Sequence, residues 1–269
     1  MKQLYKIGLY LLIIISLIFS PTLFGDNSNT DSDYDIKSYN YDLILTSDSK
    51  ISNVTLYIPI PAKNNTSSIS PNLMERCSDD YPSWNCSIIY TEYGAMLAMS
   101  IDKVTPIFYS EPIDVPVPDS HGEMEITFIE SDTYSEETPN PHENIYLSAG
   151  AIINDTIDTK NPVGTSEVLM PKFNVVENEE KAASMVELYN KPNVKLYDFD
   201  SMIYAQYDAP DDAKVQIYIT SDGLNEWFTS GWRSNSFRES IMTTLTGPQN
   251  GWSQVSGELI TGEGRYPLI

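Results

Sequence analysis

The sequence predicts an all-β fold, mostly an antiparallel β-sandwich of one or two modules, with one short helix and a hydrophobic helix at the N-terminus. Three observations carry this expectation. Apolar and polar residues alternate over strand-length stretches such as Tyr39 to Thr46 and Val54 to Ile60. Gly, Pro, Asn and Asp separate these stretches, the residues that turns require. The chain holds 18 Tyr and no long Ala, Glu, Lys and Leu tract, a balance that favours pleated structure.

The chain opens with Lys2 and Lys6 before an apolar run from Ile7 to Phe19, broken by Gly8 and Ser16. A basic head followed by such a run is the pattern of an export signal. As a helix its 13 residues extend about 20 Å, and the 18 residues to Phe24 about 27 Å, against a hydrocarbon core of roughly 30 Å. Residues 1–25 therefore read either as a cleaved signal peptide or as a transmembrane anchor. Gly25 suits a cleavage site, whereas Leu23 is large where a small residue is preferred.

Residues 26–38 read as an acidic linker without apolar periodicity. Asp31, Asp33 and Asp35 have the spacing of a calcium loop, but Ile36 stands where such a loop needs Gly. The remainder divides into an N-terminal β module at 39–176, a helix and connector at 177–192, and a C-terminal β module at 193–269. The first two strands, joined by Ser47-Asp48-Ser49-Lys50, are expected to be a hairpin or neighbours. Ala62 to Pro82 reads as a long polar loop, followed by a strand pair about Gly94 and a cleanly alternating strand from Glu123 to Glu130. The helix runs from Glu179 to Tyr189, capped by Asn178 and stopped by Pro192, with Ala182, Met185, Val186 and Tyr189 as its apolar stripe. Strands follow at Leu196–Tyr207, Ala213–Thr220, Phe237–Thr246 and Trp252–Thr261, with turns at Ser221-Asp222-Gly223 and from Gly247 to Gly251.

Composition narrows the functional classes. The 38 acidic against 16 basic residues leave a net charge of −22, which opposes nucleic acid and anionic membrane surfaces. Membrane contact is expected only through residues 7–24, if they are retained. Cys77 and Cys86 are too few for a structural zinc site, and in an oxidising compartment they read as a disulfide. Five sequons at Asn53, Asn64, Asn65, Asn85 and Asn154 offer glycosylation sites, close to the number chance gives at this content of Asn, Ser and Thr.

No catalytic motif stands out. His121 and His142 lie in acidic loops without a metal-binding spacing, and neither a G-x-S-x-G elbow nor a phosphate-cradling glycine loop occurs. No cofactor and no metal are expected. The most distinctive patch holds Trp227, Trp232, Arg233 and Trp252, with Phe228, Phe237 and Arg238 between them. Exposed aromatic rings offer flat apolar surfaces with polar tips, so this patch is read as a binding face. Its alternative is plainer: Trp227 and Trp252 as core plugs and Trp232 as a loop anchor. The expectation is an exported, secreted or membrane-anchored acidic protein with a structural or binding role at the cell surface, toward a glycan or an envelope protein. A different class, an extracytoplasmic hydrolase working on polysaccharide through a carboxylate pair, stands beside it because acidic residues are abundant.

Overall fold

The computed structural model describes residues 35–116, 124–189 and 194–266. The export-signal reading of residues 1–25, most of the linker at 26–38, and His121 lie outside the described residues. Strand is the dominant structure, and all strand pairings are antiparallel.

Ten strands form one large sheet: β1 (Asp35–Ser47), β2 (Ile51–Pro59), β3 (Asn85–Thr91), β4 (Gly94–Val104), β5 (Ile145–Ile153), β6 (Phe173–Glu177), β7 (Lys195–Asp208), β8 (Lys214–Phe228), β9 (Trp232–Thr246) and β10 (Gln249–Gly264). Their order is β5-β1-β8-β9-β10-β7-β2-β4-β3, with β6 on a separate stretch of β7. Strands from both sides of the 177–192 connector share this one sheet, the four that follow the connector lying as a block between those that precede it, and residues 33–269 form one compact unit. The sheet curls into a half-barrel, so its inner face surrounds the core.

The expected alternation is borne out on the first strands. Tyr39, Tyr41, Leu43 and Leu45 of β1 and Val54, Leu56 and Ile58 of β2 are buried, while the residues between them are partly or fully exposed. Their expected pairing is not. β1 lies between β5 and β8, and β2 lies between β7 and β4, because the long C-terminal strands separate them. Glycine also misleads locally. Ser221-Asp222-Gly223 is mid-strand in β8, where a Cβ on Gly223 would stand 2.3 Å from Cε1 of Phe237. The missing side chain is space for an aromatic ring, not a turn. Met124 and Ile126, apolar positions of the alternating 123–130 stretch, are exposed on a two-stranded sheet of Ile113–Pro116 and Met124–Thr127.

The expected loop at 62–82 contains helix α1, Ser70–Asp80. Pro71 in the first turn is compatible with a helix start, and Ile69, Leu73 and Cys77 recur at four-residue spacing and are buried. α1 touches both ends of the curled sheet. Toward β5, Asn72 Nδ2 donates to the Gly150 carbonyl (2.6 Å) and Tyr81 Oη exchanges two hydrogen bonds with the Tyr146 backbone (2.7 and 3.0 Å). Toward β3, Cys77 is disulfide-bonded to Cys86 across a Cα–Cα distance of 6.5 Å. A short helix with little intrinsic stability thus bridges the gap the half-barrel leaves.

The second helix, α2, spans Glu179–Tyr189 as its sequence predicts. Asn178 caps it: its Oδ1 accepts from the Lys181 N–H at 3.1 Å. Ala182 is buried in the first turn, and α2 packs against β7.

Candidate functional site: a trough across the outer sheet face

The outer face of the sheet carries a groove of about 550 Å³ that crosses five strands. β6 contributes Asn174 and Val176, β7 Asp198 and Asp200, β10 Ser256 and Glu258, β9 Ser240 and Met242, and β8 Tyr218. The register makes this a continuous floor, since Asp200 pairs with Ser256, Asp198 with Glu258, Glu258 with Ser240, and Tyr218 with Met242. Four strand spacings give it a length of about 19 Å at ~4.8 Å each. Met242 is 67% exposed and Tyr218 38%, so one end of the trough is open and apolar.

Its polar end is ordered by α2. Asn178, the helix cap, also donates through Nδ2 to Asp198 Oδ2 at 2.7 Å, and Asn174 Nδ2 donates to Asp200 Oδ2 at 2.7 Å. Lys181 hydrogen-bonds Glu258 and lies 3.5 Å from Asp198. The hydrogen bond and charge of Glu258 raise the pKa of the Lys181 ammonium, with Asp198 adding to the effect. Among the described residues Asp200 pairs with no cation, and its carboxylate keeps acceptor capacity beyond the bond from Asn174.

Further along β7 and β10 on the same face stands an aromatic cluster. Tyr57, Tyr204 and Trp252 occupy matched positions on β2, β7 and β10. Tyr57 stacks on Tyr204 at 4.6 Å, and Trp252 meets Tyr204 edge-on at 5.5 Å and Tyr93 at 4.6 Å. Phe173, at the start of β6, extends the cluster through Tyr93 at 6.4 Å. These rings fill one another's edges and faces, a small second core beneath the β3–β4 turn.

The four residues of the sequence-predicted binding patch are divided between two places. Trp227, Trp232 and Arg233 sit at the β8–β9 hairpin tip, where Trp227 pairs with Arg233 and Phe228 with Trp232. Trp232 is 59% exposed and meets Phe228 edge-on at 5.8 Å. Trp252 belongs to the aromatic cluster. The β9–β10 register extrapolates Trp252 to the level of Thr246, some 14 residues from Trp232, or roughly 45 Å along the strand. Their closeness in sequence is undone by the length of β9.

The five sequon asparagines, Asn53, Asn64, Asn65, Asn85 and Asn154, are all exposed. His142 pairs with Glu143 (2.6 Å) and stacks near Tyr109. Among the described residues no group of three or more His, Cys, Asp or Glu is arranged to hold a metal ion, and no helix is long and apolar enough to cross a membrane.

Two charged features escaped the sequence because they join distant segments. Lys172 and Glu239 form an ion pair (2.5 Å) inside the barrel, with side chains 1% and 0% exposed. Glu239 also accepts from the Leu169 N–H at 2.6 Å, and the Lys172 ammonium lies 4.2 Å over the Phe199 ring. On the outer face, Asp222 accepts from Asn40 (3.0 Å), and burial raises its carboxyl pKa against the opposing effects of Asn40 and Arg238. Comparison with protein families, with curated proteins and with solved structures gave no match.

Proposed function

We propose that this chain is an exported β protein of the cell surface that serves a binding or structural role, with the outer sheet face turned to its partner. The observation that carries the reading is the Cys77–Cys86 bond fastening α1 to β3. Disulfides persist in oxidising compartments, and this one joins a helix to the sheet edge it must hold. The export pattern of residues 1–25 and the net charge of −22, which suits a solvated surface, support the same reading.

The test is the intact mass of freshly isolated protein, with and without reduction, after separation of membrane from soluble material. An unreduced mass lighter by two hydrogens supports the reading, and protease should reach the folded part on intact cells. Free thiols at both cysteines, or complete protection from protease, would overturn it. A second reading, a hydrolase of polysaccharide, draws on Asp198, Asp200 and Glu258 lining one groove. It predicts release of reducing ends from a neutral polysaccharide, abolished in Asp200→Asn.

A further inference from the structure

The geometry points to the trough as an oligosaccharide site, selective for chains without acidic groups. This inference rests on the binding role proposed above and names its ligand class. Three features of the trough carry it. First, the Tyr218 and Met242 pair gives an exposed apolar platform at one end of the trough, apart from the aromatic cluster whose rings pack on one another. An aromatic ring there presents a flat face to the C–H side of a sugar ring. Second, the floor behind it bears Ser240, Ser256 and Asp200. Sugar hydroxyls are donors in need of acceptors, and a carboxylate is acceptor-only with about four lone-pair sites, of which Asn174 takes one on Asp200. Third, the charge balance is negative. Asp198, Asp200 and Glu258 face one cation, Lys181, within a chain of net charge −22. A uronate, sulfate or phosphate would meet like charge in a half-enclosed groove.

Shape decides between a sugar chain and an extended peptide. The trough crosses the strands, and the strands of its floor from β7 to β8 each lie between two neighbours, the β9–β10 ladder ending at Ile241 and Gly257 beside Met242 and Ser256. A peptide lying across the strands would run perpendicular to their backbone groups and could extend no ladder along its length, whereas a sugar chain needs only side chains. The α2 side of the trough is held by hydrogen bonds from Asn174 and Asn178, so the acceptors on Asp200 and Asp198 are oriented before a ligand arrives.

The experiment is binding of the full chain, purified in a non-glycosidic detergent, to three probes: a panel of neutral and amino-sugar oligosaccharides, oligogalacturonate, and oligolysine. Binding to a member of the first panel is expected, with little dependence on salt and none to oligogalacturonate. Tyr218→Ala should weaken it roughly two- to tenfold and Asp200→Asn roughly tenfold or more. Trp232→Ala, at the distant hairpin tip, should leave it unchanged. Both trough variants change surface groups, and an unaltered urea midpoint confirms that each folds. No binding across the first panel overturns the inference, as does binding of oligolysine alone that fades with salt. Neither outcome touches the export reading, which the thiol and protease measurements decide on their own.

Discussion

Removing one partner of the Lys172–Glu239 pair should be far more damaging than removing both. The two side chains are fully enclosed, with Nζ 2.5 Å from Oε2 and also 2.5 Å from the Leu169 carbonyl. Burial pushes the Glu239 pKa up and the Lys172 pKa down, against the attraction each exerts on the other. The signs decide the pH behaviour. A raised Glu pKa gives stability that is present below the unfolded value, about 4.3, and lost as pH rises through the folded one. A lowered Lys pKa gives stability that is present above about 10.4 and lost as pH falls. Between those limits both shifts count against the fold, so desolvation outweighs the mutual attraction at neutral pH. Lys172→Met strands a buried carboxylate and Glu239→Gln strands a buried ammonium, and each should cost about 3–5 kcal/mol at pH 7. The double variant keeps an acceptor for the Leu169 N–H, since Gln can take the place of Glu Oε1. It leaves the Leu169 carbonyl and the side-chain amide of the introduced Gln without the partner the ion pair gave each site, two neutral groups in place of a stranded charge, a loss of about 1–3 kcal/mol. Urea unfolding of the four proteins gives the cycle directly. Additive losses in the double variant, or single variants within about 0.5 kcal/mol of the parent, would refute the reasoning. The double variant should also compare best with the parent near neutrality and lose ground toward acid.

Three further outcomes follow from packing and charge. Trp252→Ala should lower stability by about 2–3 kcal/mol in urea, because three neighbouring rings lose an edge contact, while Trp232→Ala should cost under about 1 kcal/mol. Gly223→Ala should cost at least about 1–3 kcal/mol, since the new methyl meets both Phe237 and Ile157, and shortening Phe237 to Leu in the same chain should recover part of the loss. Asp222→Asn should stabilise the protein at pH 7, because the raised carboxyl pKa is a cost above the unfolded value of about 3.9 and vanishes below it. A midpoint difference that grows rather than shrinks on acidification would contradict that sign.

What the sequence discloses is local, and what it hides is paired across distance. Alternation in β1 and β2 marks their buried faces, and Asn178 with Glu179 and Glu180 marks the start of α2, because these signals lie within one element. α1 is hidden because most of its residues are polar and its stability comes from docking Leu73 and Cys77 under both sheet edges. The four-residue spacing of Ile69, Leu73 and Cys77 is the one signal that would have revealed it. Gly223 reads as a turn because nothing nearby shows that Phe237, 14 positions on, fills its missing side chain. The trough is least legible of all. Its floor is drawn from five strands whose order departs from the order of the chain, so Tyr218, Asp200 and Ser256 share no motif.

The way the sheet ends bears on how this protein can meet a partner. An open sheet usually offers its edges, where unpaired N–H and C=O groups recruit a strand from another chain. Here the two terminal strands, β5 and β3, both face α1, which is hydrogen-bonded to the first and disulfide-bonded to the second. β6 is short, pairs with β7 at three positions, and is interrupted between Phe173 and Val176, with Asn174 at φ 51°. A left-handed residue inside a five-residue strand makes a poor template for a straight ladder. Edge pairing is therefore suppressed at both termini of the sheet and weak at β6. Recognition is left to side chains on the outer face, and the trough is the place on that face where apolar surface, hydroxyls and an oriented carboxylate converge.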